Sequence, residues 1–169
     1  MSTSFFLFSG FVVLLSFKEG ATLKNLVVNR IARLYPAYWS AVLFTGFLFW
    51  FYNVHTREEL HNFILDLGAN LSMFQYYLQR PNLDGPYWTM TYEVLFFLFM
   101  LGVFAFKGLR RIERVALGGI LFTGVQNFIF KMYWPDAFLA LQKWVPILSH
   151  FALFMAGILF YKIRTEGMN

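Results

Sequence analysis

Between Tyr87 and Phe106 the chain runs for twenty residues with one carboxylate, Glu93, and no other charged side chain. A helix of that length is about 30 Å long, the thickness of a bilayer's hydrocarbon core. Four further charge-free apolar stretches accompany it: Phe5–Phe17, Leu34–Tyr52, Val115–Phe130 and Val145–Tyr161. Soluble domains carry roughly a quarter charged residues, whereas this chain has 14% charged, 59% hydrophobic and 22% aromatic. A water-facing surface cannot be made from that composition, so lipid is the solvent. Lipid cannot satisfy backbone polar groups, which restricts a crossing chain to helices or a closed barrel. The apolar runs are continuous rather than alternating, which selects helices. The expected fold class is all-α: a polytopic transmembrane bundle of about five spanning segments plus one re-entrant or interfacial helix.

The first stretch looks clipped, since its thirteen residues reach only ~20 Å. A cleaved signal peptide would place positive charge before it, and no Lys or Arg precedes Lys18. A sixth segment, Phe63–Leu78, carries Asp66, Asn70, Ser72 and Gln75. If it does not cross, the loops 18–33, 107–114 and 162–169 share one side and hold ten of the fourteen basic residues. Arg57, Arg80, Lys131 and Lys143 remain opposite, as a non-cytoplasmic face requires. Phe63–Leu78 is therefore expected to be re-entrant or interfacial, with Met1 outside and Asn169 inside. One transmembrane domain over 1–169 is expected, truncated at both ends. Gly118, Gly119 and Gly124 are expected to let a neighbouring helix approach closely.

The absence of cysteine removes disulfides, thiolate metal sites and thiol nucleophiles. The net charge of +5 arises from basic residues beside apolar runs, where they act as topology signals, so no nucleic-acid partner is expected. Glu93 asks for an explanation. A carboxylate at mid-bilayer costs ~2.5–3.5 kcal/mol, while the ten Leu, Val and Phe residues of its run return roughly 3–6 kcal/mol. The segment inserts, and the carboxyl is kept for a reason. Thr89 one turn back and Phe97 one turn forward offer a hydroxyl and an apolar wall, a setting that suits a tuned acid or base. A structural carboxyl bonded to a neighbouring helix is the alternative.

Arg30 and Arg33 share one face of a helix that Thr22 could cap and that Pro36 follows, just before Leu34–Tyr52. Paired guanidiniums can grip phosphate, but arginines at a helix end also mark the inner side and bind lipid head groups. Residue chemistry alone favours the second reading. Trp88, Tyr87 and Tyr92 lie where aromatic belts anchor helices; a ring there can also stack on a sugar. Asp84-Gly85-Pro86 reads as a turn that fixes the start of the next helix. His55 and His61 lack the spacing of a zinc helix, so no metal is expected. His150, inside the last apolar run, reads as a partner in a helix-to-helix hydrogen bond. Ser9 lacks the surroundings of a nucleophile elbow.

Three segments, in order, resemble acyltransferase family 3, the integral-membrane acyltransferases that decorate surface glycans. Phe5-Phe6-Leu7-Phe8-Ser9-Gly10-Phe11 is similar to the family's aromatic Ser-Gly-Phe segment. Asn29-Arg30-Ile31-Ala32-Arg33-Leu34-Tyr35-Pro36 is similar to its Arg-x-x-Arg run leading to Pro. Tyr87-Trp88-Thr89-Met90-Thr91-Tyr92-Glu93 is similar to its Trp-Ser-Leu-x-x-Glu segment, with Thr for Ser and Met for Leu, and Phe154-x-x-Gly157 adds a fainter fourth. The resemblance implies acyl-coenzyme A, with acetyl the expected group, as a co-substrate approached from the cytoplasm, and no bound cofactor. It moves Arg30 and Arg33 to the donor, Trp88 and Thr89 to substrate binding, and Glu93 to a catalytic place. The family's first helix, with a His that serves as base, has no counterpart here, so the chain alone is expected to be inactive unless a partner chain supplies missing helices.

The expected function is O-acyl transfer to a hydroxyl of a cell-surface carbohydrate or lipid-linked glycan, by a multi-pass protein of a bacterial inner membrane. The alternative is a non-catalytic transmembrane bundle: a transporter piece, accessory subunit or inactive remnant in which Glu93 lines a polar path. Paired broken helices or internal symmetry would favour a transporter, and the sequence shows neither.

Overall fold

The computed structural model describes residues 2–17 and 22–166. Lys18 and both chain ends, used above to orient the chain, lie outside the described residues, as does the Arg110 side chain. Every regular element among the described residues is helical. In chain order they are α1 (Ser2–Ser16), α2 (Leu23–Asn53), α3 (Arg57–Leu71), α4 (Tyr87–Ala105), α5 (Ile112–Val125), α6 (Lys131–Tyr133), α7 (Pro135–Trp144) and α8 (Phe151–Glu166).

Among the described residues three helices are long and apolar enough to cross a membrane: Leu23–Asn53, Tyr87–Ala105 and Ile112–Tyr133. The expectation of about five spans thus exceeds what length alone supports. With 15 and 16 residues, α1 and α8 reach only ~22–24 Å. The stretch Val115–Phe130 is longer than expected at both ends, because α5 passes into α6 through a five-residue π turn, Gln126–Phe130.

The helix carrying the two arginines does not stop before Pro36. Instead α2 is one 31-residue helix with Pro36 inside it. Proline removes the N–H that would reach the Ala32 carbonyl, but a membrane helix tolerates this when other groups re-satisfy its backbone. One turn on, the Ser40 hydroxyl donates to the Pro36 carbonyl at 2.6 Å.

The sixth segment also differs in its bounds. Its helix, α3, starts at Arg57 because Thr56 and Glu59 form a capping box: the Thr56 hydroxyl accepts from the Glu59 N–H, and Glu59 accepts from the Thr56 N–H. Donation from the His55 and Thr56 N–H groups holds the Glu59 carboxyl below the usual range. Beyond Leu71 the chain turns rather than continuing as a helix, and α3 is not among the helices long enough to span. The decade after Trp134 held a surprise of its own, the ten-residue α7 with Pro135 in its first turn.

The chain divides into two compact units, one comprising residues 1–23 and 92–169 and the other residues 24–91. In the first, α1 and α8 cross with glycine on both sides. A Cβ on Gly10 would overlap the Phe154 carbonyl oxygen, and one on Gly157 would overlap the Leu7 carbonyl oxygen. Only glycine permits backbones so close. Phe6 packs on Phe154 with ring centroids 5.1 Å apart, and Phe154 stacks on Phe96 at 4.2 Å. Gly119 seats α5 against Phe151 and Met155 of α8, and Lys162 pairs with Glu113 at 3.2 Å. Gly118 and Gly124 differ from expectation: among the described residues nothing lies within 4 Å of a Cβ on either, because a helix offers one face per neighbour and only Gly119 lies on it.

In the second unit Gly46 of α2 admits the Leu67 side chain of α3, and Phe49 stacks on Phe63 with centroids 5.9 Å apart.

Candidate functional site

The residues singled out for chemistry fall in both units. Arg30, Arg33, Trp88 and Thr89 belong to the second, and Ser9, Gly10, Phe11, Glu93 and His150 to the first.

In the second unit a polar core holds the irregular stretch between α3 and α4. Its hub is Asn70, which is 0% exposed. The Asn70 amide nitrogen donates to the Asp66 carbonyl at 2.8 Å and to the Pro81 carbonyl at 2.9 Å, while its oxygen accepts from the Leu83 N–H at 3.2 Å. The last carbonyls of a helix lack partners inside it. Here Tyr38 and Trp39 of α2 supply them, the Tyr38 hydroxyl donating to the Asn70 carbonyl at 2.8 Å and the Trp39 indole N–H to the Leu71 carbonyl at 3.0 Å.

Further along, buried Met73 takes a left-handed backbone with φ 63°. That conformation costs a non-glycine residue roughly 1–2 kcal/mol, and two hydrogen bonds hold it: the Met73 N–H to the Asn70 carbonyl, and the Thr91 hydroxyl to the Met73 carbonyl at 2.7 Å. Gln75 donates to Asn82 at 3.0 Å and to the Tyr87 carbonyl at 3.3 Å, and the Tyr87 and Thr45 hydroxyls share a bond of 2.9 Å. Arg80 pairs with Asp66 at 3.3 Å. The result is an irregular segment tied down by hydrogen bonds from within the unit, and it fixes the first turn of α4 where Trp88 and Thr89 stand. In the sequence Asn70 and Gln75 only left open whether Phe63–Leu78 crosses. The signal for more was there, because amides set in an apolar run need buried partners.

The two arginines are unequal. Arg30 is 8% exposed, whereas Arg33 is exposed. Trp88 and Thr89 are half-buried. The Thr89 hydroxyl donates to the Pro86 carbonyl at 2.7 Å, closing the first turn of α4.

In the first unit Glu93 is 8% exposed and Phe97 is buried. Ser9 and Gly10 are buried and Phe11 half-buried on α1, where Gly10 makes the crossing with α8. His150 lies between two of the segments that the sequence marked. Its ring is 4.5 Å from that of Phe6 and 5.5 Å from that of Tyr92, and its Nδ1 is 2.7 Å from the Ser149 hydroxyl. Phe6 and Tyr92 lie more than fifty residues from His150 in the sequence, and such contacts leave no local trace. Among the described residues no group of three or more His, Cys, Asp or Glu is placed to hold a metal ion.

A family model described as an acyltransferase domain matches residues 3–169. No curated protein and no solved structure matches the chain.

Proposed function

This chain belongs to acyltransferase family 3, and from that premise we propose that it is an integral-membrane O-acyltransferase carrying an acyl group, acetyl in the simplest case, from acyl-coenzyme A to a hydroxyl of a cell-surface carbohydrate or lipid-linked glycan. Beside the family match, the observation that carries this reading is Glu93, a carboxyl 8% exposed on an otherwise charge-free apolar helix. Intramembrane ionisable groups are rare and costly, and functional duty is their ordinary explanation.

In this reading the acceptor hydroxyl attacks the thioester carbonyl. A C–O bond forms, the C–S bond breaks, and the hydroxyl proton passes through a base to the departing thiolate, which leaves as coenzyme A thiol. In place of the first-helix His of the family, which has no counterpart here, our choice of base among the described residues is His150, because it stands beside Phe6 and Tyr92 of two family segments. Glu93 orients the acceptor or the base. Trp88 and Thr89 contribute to substrate binding at the start of α4. Arg30 and Arg33 hold donor phosphates from the cytoplasmic side, Arg30 as the buried anchor and Arg33 as the first contact. The topology that goes with this has α1 and α8 as short crossings, five passes in all, in a bacterial inner membrane.

The test is donor binding. Replacing Arg30 and Arg33 together with Gln should weaken acyl-coenzyme A binding by roughly 10²–10⁴-fold, since hydrogen bonds to charged groups contribute about 1.5–3 kcal/mol each. Membrane insertion should be unchanged. Equal donor affinity in the double variant refutes the assignment.

A further inference from the structure

The 3₁₀ turn Pro146–Ser149 leads into α8, and His150 joins the two with its main chain already fixed. The His150 N–H donates to the Ile147 carbonyl at 3.0 Å, and the His150 carbonyl accepts from the Leu153 N–H at 3.0 Å. Its ring rests on that of Phe6, which is buried. Ser149 adds a contact at one ring nitrogen. The Ser149 hydroxyl oxygen stands 2.8 Å from the Pro146 carbonyl oxygen and 2.7 Å from His150 Nδ1. A serine hydroxyl has one proton to give and lone pairs that accept, whereas a carbonyl only accepts. Were the proton given to Nδ1, two oxygens would face each other at 2.8 Å with no proton between them. Given to Pro146, it completes the back-bond to residue i−3 that serines make in turns, and the hydroxyl then accepts from an Nδ1–H. Only this second arrangement makes both contacts hydrogen bonds.

We propose that Ser149 is a positioning residue that holds neutral His150 with its proton on Nδ1, so that the lone pair able to take a proton is on Nε2. The two nitrogens of an imidazole are distinct, and the hydrogen bond made by one decides what the other carries. The inference rests on the reading of His150 as the base, and it gives that base a defined atom. As the acceptor oxygen bonds to the thioester carbon, its proton moves to Nε2. The ring becomes an imidazolium whose Nδ1–H is still accepted by Ser149. When the C–S bond breaks, the Nε2 proton passes to the thiolate and the ring returns to the Nδ1–H tautomer. The opposite tautomer would present an N–H at Nε2, where the acceptor hydroxyl needs a lone pair. Ser149 is exposed while His150 is half-buried, so the Ser149 hydroxyl can be removed with little effect on packing.

The chain is produced with ¹⁵N,¹³C-histidine, reconstituted in vesicles of phosphatidylethanolamine and phosphatidylglycerol, and studied by solid-state nitrogen–carbon correlation at a pH where its imidazoles are neutral. Nδ1 is bonded to Cγ and Nε2 to Cδ2, so the carbon partner identifies the nitrogen that carries the proton. The signals missing from His150→Gln are those of His150, and His55 and His61 give the reference for exposed rings. The protonated nitrogen of His150 should correlate with Cγ. In Ser149→Ala that correlation should be lost or fall to the share seen for His55 and His61, and Ser149→Thr, which keeps a hydroxyl, should retain it. A protonated nitrogen on Cδ2 in the unsubstituted chain overturns the proposal, as does an unchanged His150 spectrum in Ser149→Ala. The first of these needs no variant, so the test stands if Ser149→Ala fails to fold. The base assignment fails separately: full acyl transfer in His150→Gln would remove this ring from the reaction and leave its Nδ1–H signal in place.

Discussion

Gly10 and Gly157 answer one another across the α1 and α8 crossing, each lying against a backbone carbonyl of the opposite helix, that of Phe154 and that of Leu7. The obstruction to a larger residue is therefore backbone, which cannot rotate away as a side chain could. Gly10→Ala should destabilise the protein by about 1–3 kcal/mol, the range for overpacking a close contact. Gly157→Ala should do the same, and the double variant should cost less than the two together because both act on one interface. Thermal unfolding in detergent reads this. An unchanged midpoint for Gly10→Ala would mean that the helices do not meet here.

Asn70 serves three backbone groups with one side chain. Asn70→Leu keeps the bulk but leaves the Pro81 carbonyl and Leu83 N–H without it. Each unsatisfied buried group costs about 1–3 kcal/mol. Proteolysis between residues 72 and 86 should become faster in this variant. Resistance equal to that of the unsubstituted chain would show that Asn70 is dispensable there.

Gln126 offers the opposite case. Within the π turn it is 2% exposed, and its amide nitrogen and oxygen have no hydrogen-bond partner among the described residues. Replacement by a similarly sized apolar residue removes that desolvation cost, so Gln126→Leu should stabilise by about 1–3 kcal/mol. A fall in the unfolding midpoint would instead reveal that the amide is engaged in the membrane.

For Glu93 the expectation follows from the proposed chemistry. Glu93→Gln preserves shape and removes the charge that orients the acceptor or the base, and acyl transfer should drop by about 10–100-fold, the loss of one hydrogen bond to a charged group. Donor affinity should hold. Full transfer activity in this variant would reduce the carboxyl to a packing group.

Legibility in the sequence followed the range of the interactions. The run containing Glu93 became α4 to within a residue, because a stretch dominated by Leu, Val and Phe has one solution in lipid. The family motifs were readable for the same local reason. Pro36 misled, since the rule that proline ends a helix assumes water as the competitor for the freed carbonyl. Thr56-Arg57-Glu58-Glu59 held a capping box that a search for apolar runs passes over. Gly118, Gly119 and Gly124 could not be told apart without knowing the face α5 turns to α8. Asn70 and His150 depended on partners 11 to 144 residues away, such as Pro81 and Phe6, and no local pattern encodes those.

The unbroken course of α2 ties the arginines to the thickness of the surrounding bilayer. At 31 residues the helix is ~46 Å long against a hydrocarbon slab of ~30 Å, an excess that tilt or overhang must absorb. Arg30 lies four residues, or ~6 Å, before the apolar run that begins at Leu34. A thinner slab lifts its guanidinium toward water, and a thicker one draws it down among the head groups, so hydrophobic mismatch sets the height of this cation.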